Sequence, residues 1–236
     1  MGKLQGKVIV VIGGSRGIGL AIAKVCRRED AQLVLVARDR TALAQAAANL
    51  KGQALVIKAD VTRPRDVGRL FQRVQRQFSR VDVLIESAGV FTFKSFVRTT
   101  LDDWRKNIDS NLTSLFLTTR AALPLLERSE APHVVNILSV SSTHAFPNCS
   151  AYCASKFGAL GFTRVIAEEF RPKKIRVTAI LPGSTNTRMV REFGFPVKRA
   201  NLIQPEDVAE AVLAAILQPP RTTVDEVHLT PSRGAL

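Results

Sequence analysis

Seven short apolar runs recur along this chain, and most are followed by a segment of helical length. They are KVIVVI (7–12), QLVLVA (32–37), ALVIKA (54–59), VDVLIE (81–86), HVVNIL (133–138), IRVTAIL (175–181) and VDEVHL (224–229). The runs are rich in β-branched residues and continuous rather than alternating, the pattern of strands covered on both faces. Between them, helices are predicted over 17–29, 39–50, 64–78, 101–128, 151–170 and 205–217. Thr62 and Pro64 mark one start, and Pro205-Glu206-Asp207 opens the last with a first-turn proline and early acids. Strand–helix alternation implies parallel strands with helices on both faces, because parallel neighbours need a crossover. No repeat, low-complexity tract or linker-like stretch interrupts it, so residues 1–236 read as one domain. The predicted class is α/β: a doubly wound, seven-stranded parallel sheet with helices on both faces.

Bulk properties narrow the function. The chain carries 34 Lys and Arg against 20 Asp and Glu, a formal net charge of +14. Such a charge favours polyanions: phosphorylated cofactors, acidic partners or nucleic acid. The basic residues are spread along the chain with no run of five, so they read as a solvated surface rather than a nucleic-acid face. No stretch approaches the roughly 20 apolar residues of a membrane span. The apolar start VIVVI leads into glycines and an arginine with no small-residue cleavage site, so it reads as a strand. Cys26, Cys149 and Cys153 form no disulfide-like framework, and His133, His144 and His228 are scattered. No metal site and a reducing, cytoplasmic location are therefore expected.

The first run enters Gly13-Gly14-Ser15-Arg16-Gly17-Ile18-Gly19, and a helical segment follows. Glycines let the backbone approach a phosphate, and the helix N-terminus offers free N–H groups and a positive dipole end. The second run ends Val36-Ala37-Arg38-Asp39, where an acid would favour NAD by binding ribose hydroxyls. Here Arg38, with Arg16 from the glycine turn, suits a 2′-phosphate, so NADP(H) is expected over NAD(H). The plainer alternative is that Arg38 merely follows a strand and Asp39 caps the next helix.

The chain has one tyrosine, Tyr152, and Lys156 lies four residues on. At helical spacing the two share a face. A phenol has a pKa of about 10, and an ammonium nearby is expected to lower it towards acid–base use. Alone, Y-x-x-x-K is common by chance and reads as helix decoration. It is accompanied by Ser139 after the fifth run and by Asn111 within a predicted helix.

Together with the G-x-x-x-G-x-G spacing, Asp60, Ala88-Gly89 and Pro182-Gly183, these residues resemble the short-chain dehydrogenase/reductase family across nearly the whole chain. The resemblance implies a Rossmann-type fold and hydride transfer between NADP(H) and a carbonyl or secondary alcohol. It implies Tyr152 as general acid/base and Lys156 as its activator and ribose ligand. Ser139 would orient the carbonyl, and Asn111 would hold a water linking Lys156 to solvent. Asp60-Val61 would border the adenine. Pro182, Gly183, Ser184, Thr185 and Thr187 would line the nicotinamide side.

The resemblance has departures. Ile12 stands where relatives keep threonine, and Glu86-Ser87 where they keep two asparagines. An ionised carboxylate accepts but does not donate, so some loss of rigidity and weaker cofactor binding are expected. The segment from Thr187 to Gln204 lies where relatives vary their substrate lid, mixing Met189, Phe193, Phe195 and Pro196 with Arg188, Arg191, Lys198 and Arg199. Phe91, Phe93 and Phe96, and the stretch holding His144, Phe146 and Asn148, are further substrate-side candidates or simply loop anchors. The resemblance extends to 3-oxoacyl-[acyl-carrier-protein] reductase-like members, which implies an apolar ketone, including one on an acidic acyl carrier. It also implies a homodimer or homotetramer through the helices at 101–128 and 151–170. A non-catalytic NADP-binding sensor or scaffold is the competing reading.

Overall fold

The computed structural model describes residues 2–50, 53–192 and 201–232. Seven strands form one parallel sheet: β1 (Val8–Ile12), β2 (Gln32–Ala37), β3 (Ala54–Lys58), β4 (Val83–Glu86), β5 (His133–Ile137), β6 (Arg176–Pro182) and β7 (Glu226–Leu229). Their spatial order is β3-β2-β1-β4-β5-β6-β7. The chain winds outward from β1 in one direction, then returns to β4 and winds in the other. That reversal places a crevice beyond the carboxyl ends of β1 and β4, where such sheets bind ligands.

Eight helices are described: α1 (Gly17–Arg28), α2 (Arg40–Asn49), α3 (Pro64–Phe78), α4 (Leu101–Ile108), α5 (Ser114–Leu126), α6 (Ser150–Phe170), α7 (Arg188–Glu192) and α8 (Pro205–Ile216). Every residue of β1, β4, β5 and β6 is buried, as their unbroken apolar runs require. Alternate residues feed two cores. Ile9, Val11, Val83 and Ile85 pack with α1 and α8, whereas Val10, Ile12, Leu84 and Val134 pack with α3, α5 and α6.

The predicted helix over 101–128 is one rod with a defect. A π-helical turn, Asp109–Thr113, separates α4 from α5. Helix α7 falls inside the segment read as a variable lid. Phe193, Phe195, Pro196, Lys198 and Arg199, also assigned to that lid, lie outside the described residues. No helix among the described residues is long and apolar enough to cross a membrane.

Candidate active site

The carboxyl ends of the central strands open into a cleft of about 1080 Å³. One end is the glycine turn between β1 and α1. Gly13 adopts φ +81°, and a Cβ there would lie 2.7 Å from the Ala88 amide nitrogen. A Cβ on Gly19 would lie 2.4 Å from the Gly13 carbonyl oxygen. The absent side chains therefore do two things: they let β1, α1 and the β4 loop close on one another, and they leave the start of α1 bare for a phosphate. Ser15, Arg16, Gly17 and Ile18 continue this wall, and Arg38, Asp60 and Val61 carry it across the ends of β2 and β3.

Arg16 and Arg38 are both exposed at that end. Arg16 does not stand alone: its Nη2 donates to Asp39 Oδ2 at 3.1 Å. Asp39 also caps α2, accepting from the Ala42 amide at 3.1 Å, and that bond, with the Thr41 amide and the Arg16 guanidinium, holds its carboxyl below the usual range. Asp39 is thus the cap of α2, and Arg16 and Arg38 stand exposed at the same rim. Burial alone would raise the Asp60 carboxyl. The Thr62 hydroxyl at 2.7 Å, its amide at 3.1 Å, and Arg38 and Arg63 outweigh it and hold the group low.

At the other end of the cleft stand Ser139, Tyr152 and Lys156. Ser139 follows β5 in extended backbone and accepts from the Ser141 amide at 3.1 Å, starting a short 3₁₀ turn. Tyr152 lies in the first turn of α6, is hydrogen bonded to Ser139, and meets the Phe91 ring edge-on at 4.6 Å. Lys156 sits one turn further on, its Nζ donating to the Ile137 carbonyl at 3.2 Å and lying 5.9 Å from the Tyr152 ring centroid. The expected lowering of the phenol by the lysine is not what this geometry produces. Burial dominates and pushes Tyr152 up to about 12, against the opposing Ser139 hydrogen bond. Burial also pulls Lys156 down to about 8. Tyr152 is therefore a proton-bearing phenol throughout the neutral range.

Asn111, Gly19 and Ser184 are the expected catalytic and cofactor residues that do not line the cleft. Asn111 is buried in the π-helical turn behind its wall. Its Oδ1 accepts from the Val90 amide at 2.8 Å, and its Nδ2 donates to the Val90 carbonyl and to Ser155 Oγ, both at 2.9 Å. The side chain thereby clamps the loop after β4 to α6, and a Cβ on Gly89 would meet Asn111 Oδ1 at 3.0 Å. Ala88, Gly89, Pro182, Gly183, Thr185 and Thr187 complete the walls.

On the substrate side, Phe91 and Met189 line the cleft, but Phe93, Phe96 and His144 do not, and Phe96 is 81% exposed. Phe146 packs against Cys149, Tyr152 and Cys153 instead. Lys106 and Ser110 from α4 and the π turn also line it; no sequence signal singled them out. Ile12 is a core residue, joined to the neighbouring loop by its carbonyl, which accepts from Ser87 N at 2.9 Å. Glu86 is fully buried, and that burial pushes its carboxyl from the ordinary 4.5 up to about 8.

A glycine-floored crevice thus lies at the switch point of a parallel sheet, with a buried Ser-Tyr-Lys set at its far end. The chain belongs to the short-chain dehydrogenase family, whose description it matches over residues 7–195. An uncharacterized oxidoreductase of Staphylococcus aureus is 32% identical over 232 residues, covering 98% of this chain and all of that protein. A 3-oxoacyl-[acyl-carrier-protein] reductase of Bos taurus is 35% identical over 196 residues, 83% of each chain. Among solved structures, a metagenomic short-chain oxidoreductase in complex with NADP superposes with a TM-score of 0.85 at 29% identity, covering 98% of this chain and 99% of the other. An alcohol dehydrogenase from the archaeon Thermococcus sibiricus, complexed with 5-hydroxy-NADP, reaches 0.90 at 27% identity over 98% of each chain.

Proposed function

We propose that this chain is an NADP(H)-dependent carbonyl reductase, and in reverse a secondary-alcohol dehydrogenase, with Tyr152 as its general acid and base. The observation that carries the reading is the buried Tyr152 bonded to Ser139, with Lys156 one turn away, facing the cleft that begins at the glycine turn. Gly13, Ser15, Arg16, Gly17, Ile18 and Gly19 would hold the pyrophosphate end, with Arg16 and Arg38 at a 2′-phosphate. Asp60, Val61, Ala88 and Gly89 would border the adenosine. Pro182, Gly183, Thr185 and Thr187 would flank the nicotinamide. When bound, NADPH supplies the hydride that the protein lacks.

The protein's own part is protonation and placement. Ser139 donates to the carbonyl oxygen and orients it. Tyr152 gives its proton to that oxygen as negative charge develops there, and retakes one in the alcohol direction. Lys156, held at the Ile137 carbonyl, stabilises the phenolate left behind. Asn111 fixes the loop that faces Lys156, and a water on that loop would connect the lysine to solvent.

Phe91, Val90 and Met189 make an apolar wall, and Lys106 and Arg188 stand among the cleft's lining. This suits an apolar ketone with an anionic tail, including a 3-oxoacyl thioester on an acidic carrier. A homodimer or homotetramer in the cytoplasm completes the proposal.

The test is consumption of NADPH, followed by its absorbance, across a panel of ketones and acetoacetyl thioesters. Tyr152→Phe is expected to lower kcat by about 10²–10⁴ while leaving NADPH affinity unchanged. Tight NADPH binding without turnover on any ketone would favour a sensor or scaffold. Absence of NADPH binding would overturn the cofactor assignment.

A further inference from the structure

Glu86 is the last residue of β4, and the mechanism above does not use it. Its Cα is paired in register with Ile12 of β1 and Asn136 of β5. It lies on the face that carries Leu84, towards α5 and α6. It is 1% exposed, and its Oε1 has no partner. Beside it the Asn136 Oδ1 is likewise buried and without a partner.

Two helix threonines meet these strand residues, and both have already spent their hydroxyl hydrogens. Thr163 Oγ1 donates to the Ala159 carbonyl at 2.7 Å, so towards the sheet it can only accept, and it does so from Asn136 Nδ2 at 2.8 Å. Thr118 Oγ1 donates to the Ser114 carbonyl at 2.6 Å, so it too can only accept from the sheet. On that side it faces Glu86. An ionised carboxylate would set lone pairs against lone pairs at Thr118, in a site with no water-exposed surface, whereas a carboxylic acid has the missing donor. Among the described residues no charge acts on the group: β1 pairs it with Ile12, β5 pairs it with Asn136, and α5 brings Thr118. Lys156 of α6 is directed to the Ile137 carbonyl.

We propose that Glu86 is held as a neutral carboxylic acid that donates its proton to Thr118, and that this proton-bearing strut positions the Ser87–Val90 loop of the cleft. The loop leaves directly from Glu86, is tied to β1 through Ser87 N and the Ile12 carbonyl, and abuts Gly13. Loss of the proton to bulk solvent leaves a buried, unpaired anion between sheet and α5, and the loop is loosened. Burial supports the same direction by raising the carboxyl to about 8. The sign follows. Between about 4.5 and 8 the unfolded chain has released this proton and the folded chain has kept it, so rising pH destabilises the fold across that window.

The experiment compares the wild type with Glu86→Gln, which keeps the shape and a donor but cannot ionise. Infrared difference spectra at neutral pH are expected to contain a deuterium-sensitive carboxylic-acid carbonyl band that Glu86→Gln lacks and that Thr118→Val shifts. The melting temperature of Glu86→Gln is expected to pull ahead of the wild type as pH rises from about 5 to about 8, with the gap constant above that. At about pH 9, where roughly nine-tenths of wild-type Glu86 is ionised, amide exchange in a peptide spanning Ser87–Val90 is expected to be faster in the wild type than in Glu86→Gln; at about pH 6 the two should agree. A carboxylate band at neutral pH, or a melting gap that does not vary with pH, would overturn the assignment. Equal exchange at both pH values would overturn the positioning role. None of these readings requires cofactor or substrate, so they stand or fall separately from the reductase reading.

Discussion

Lys156 shows how a single residue sets function against stability. It is the one ammonium buried in this site, its bond to the Ile137 carbonyl replaces only part of its hydration, and it is pulled from 10.5 to about 8. At neutral pH the folded protein carries that charge at a cost of about 3 kcal/mol relative to the unfolded chain. Lys156→Met is therefore expected to abolish reductase turnover and raise the melting temperature. Between about pH 8 and 10.5 the folded lysine is neutral while the unfolded one is still charged, so rising pH stabilises the wild type there. The advantage of Lys156→Met should shrink across that window, and thermal melts at stepped pH check it. The residue types of the site were legible in the sequence because Y-x-x-x-K, the preceding serine and the glycine turn are local patterns. The direction of the Tyr152 shift was not. Spacing puts a lysine near a phenol, but it does not say that burial outweighs the lysine.

At the scale of elements, the glycine turn and the π-helical turn contrast. The turn joining β1 to α1 is forced by sequence: Gly19 has no room for a Cβ beside the Gly13 carbonyl. Gly19→Ala is expected to cost about 1–3 kcal/mol and to weaken NADPH binding by about tenfold or more, measured by thermal melts and cofactor fluorescence. The strands, the proline-led starts of α3 and α8, and the Asp39 cap of α2 were readable for the same reason, since their causes lie within a few residues. The π turn was not readable. Asp109–Thr113 continues a helical pattern, and the turn is stabilised by what Asn111 reaches: Val90, 21 residues earlier, and Ser155, 44 later. The end of α8 is decided in the same long-range way. Arg176, at the start of β6, donates to the carbonyls of Gln218 and Ile216.

Over the whole molecule, the two ends of the sheet divide the work. The carboxyl ends carry the cleft, and the opposite end is held by Asp82. Its carboxylate accepts from Val8 N at 2.8 Å, Ser129 Oγ at 2.6 Å and Arg80 Nε at 3.1 Å, tying β1, β4 and the segment after α5 together. Asp82→Ala leaves the buried Val8 amide without its partner and removes the part-buried ties to Ser129 and Arg80. It is expected to cost about 1–3 kcal/mol, a fall in melting temperature of about 5 °C, while KM for NADPH is unchanged. Phe116 on α5 and Phe157 and Val165 on α6 remain exposed, whereas Ala151 is buried and Phe162 packs against the core. If the exposed set is a contact between copies, Phe157→Asp combined with Val165→Asp is expected to reduce the molar mass in light scattering to that of one chain. By itself the sequence determined the α/β alternation, the covered strands, the glycine turn and the identity of the Ser-Tyr-Lys set. These depend on hydrophobic periodicity and on residues near one another in the chain. Only the tertiary structure decided the strand order, the clamp from Asn111 to Val90, the proton on Glu86 and the direction in which Tyr152 titrates. Those depend on burial and on partners far apart in the chain, which no local spacing encodes.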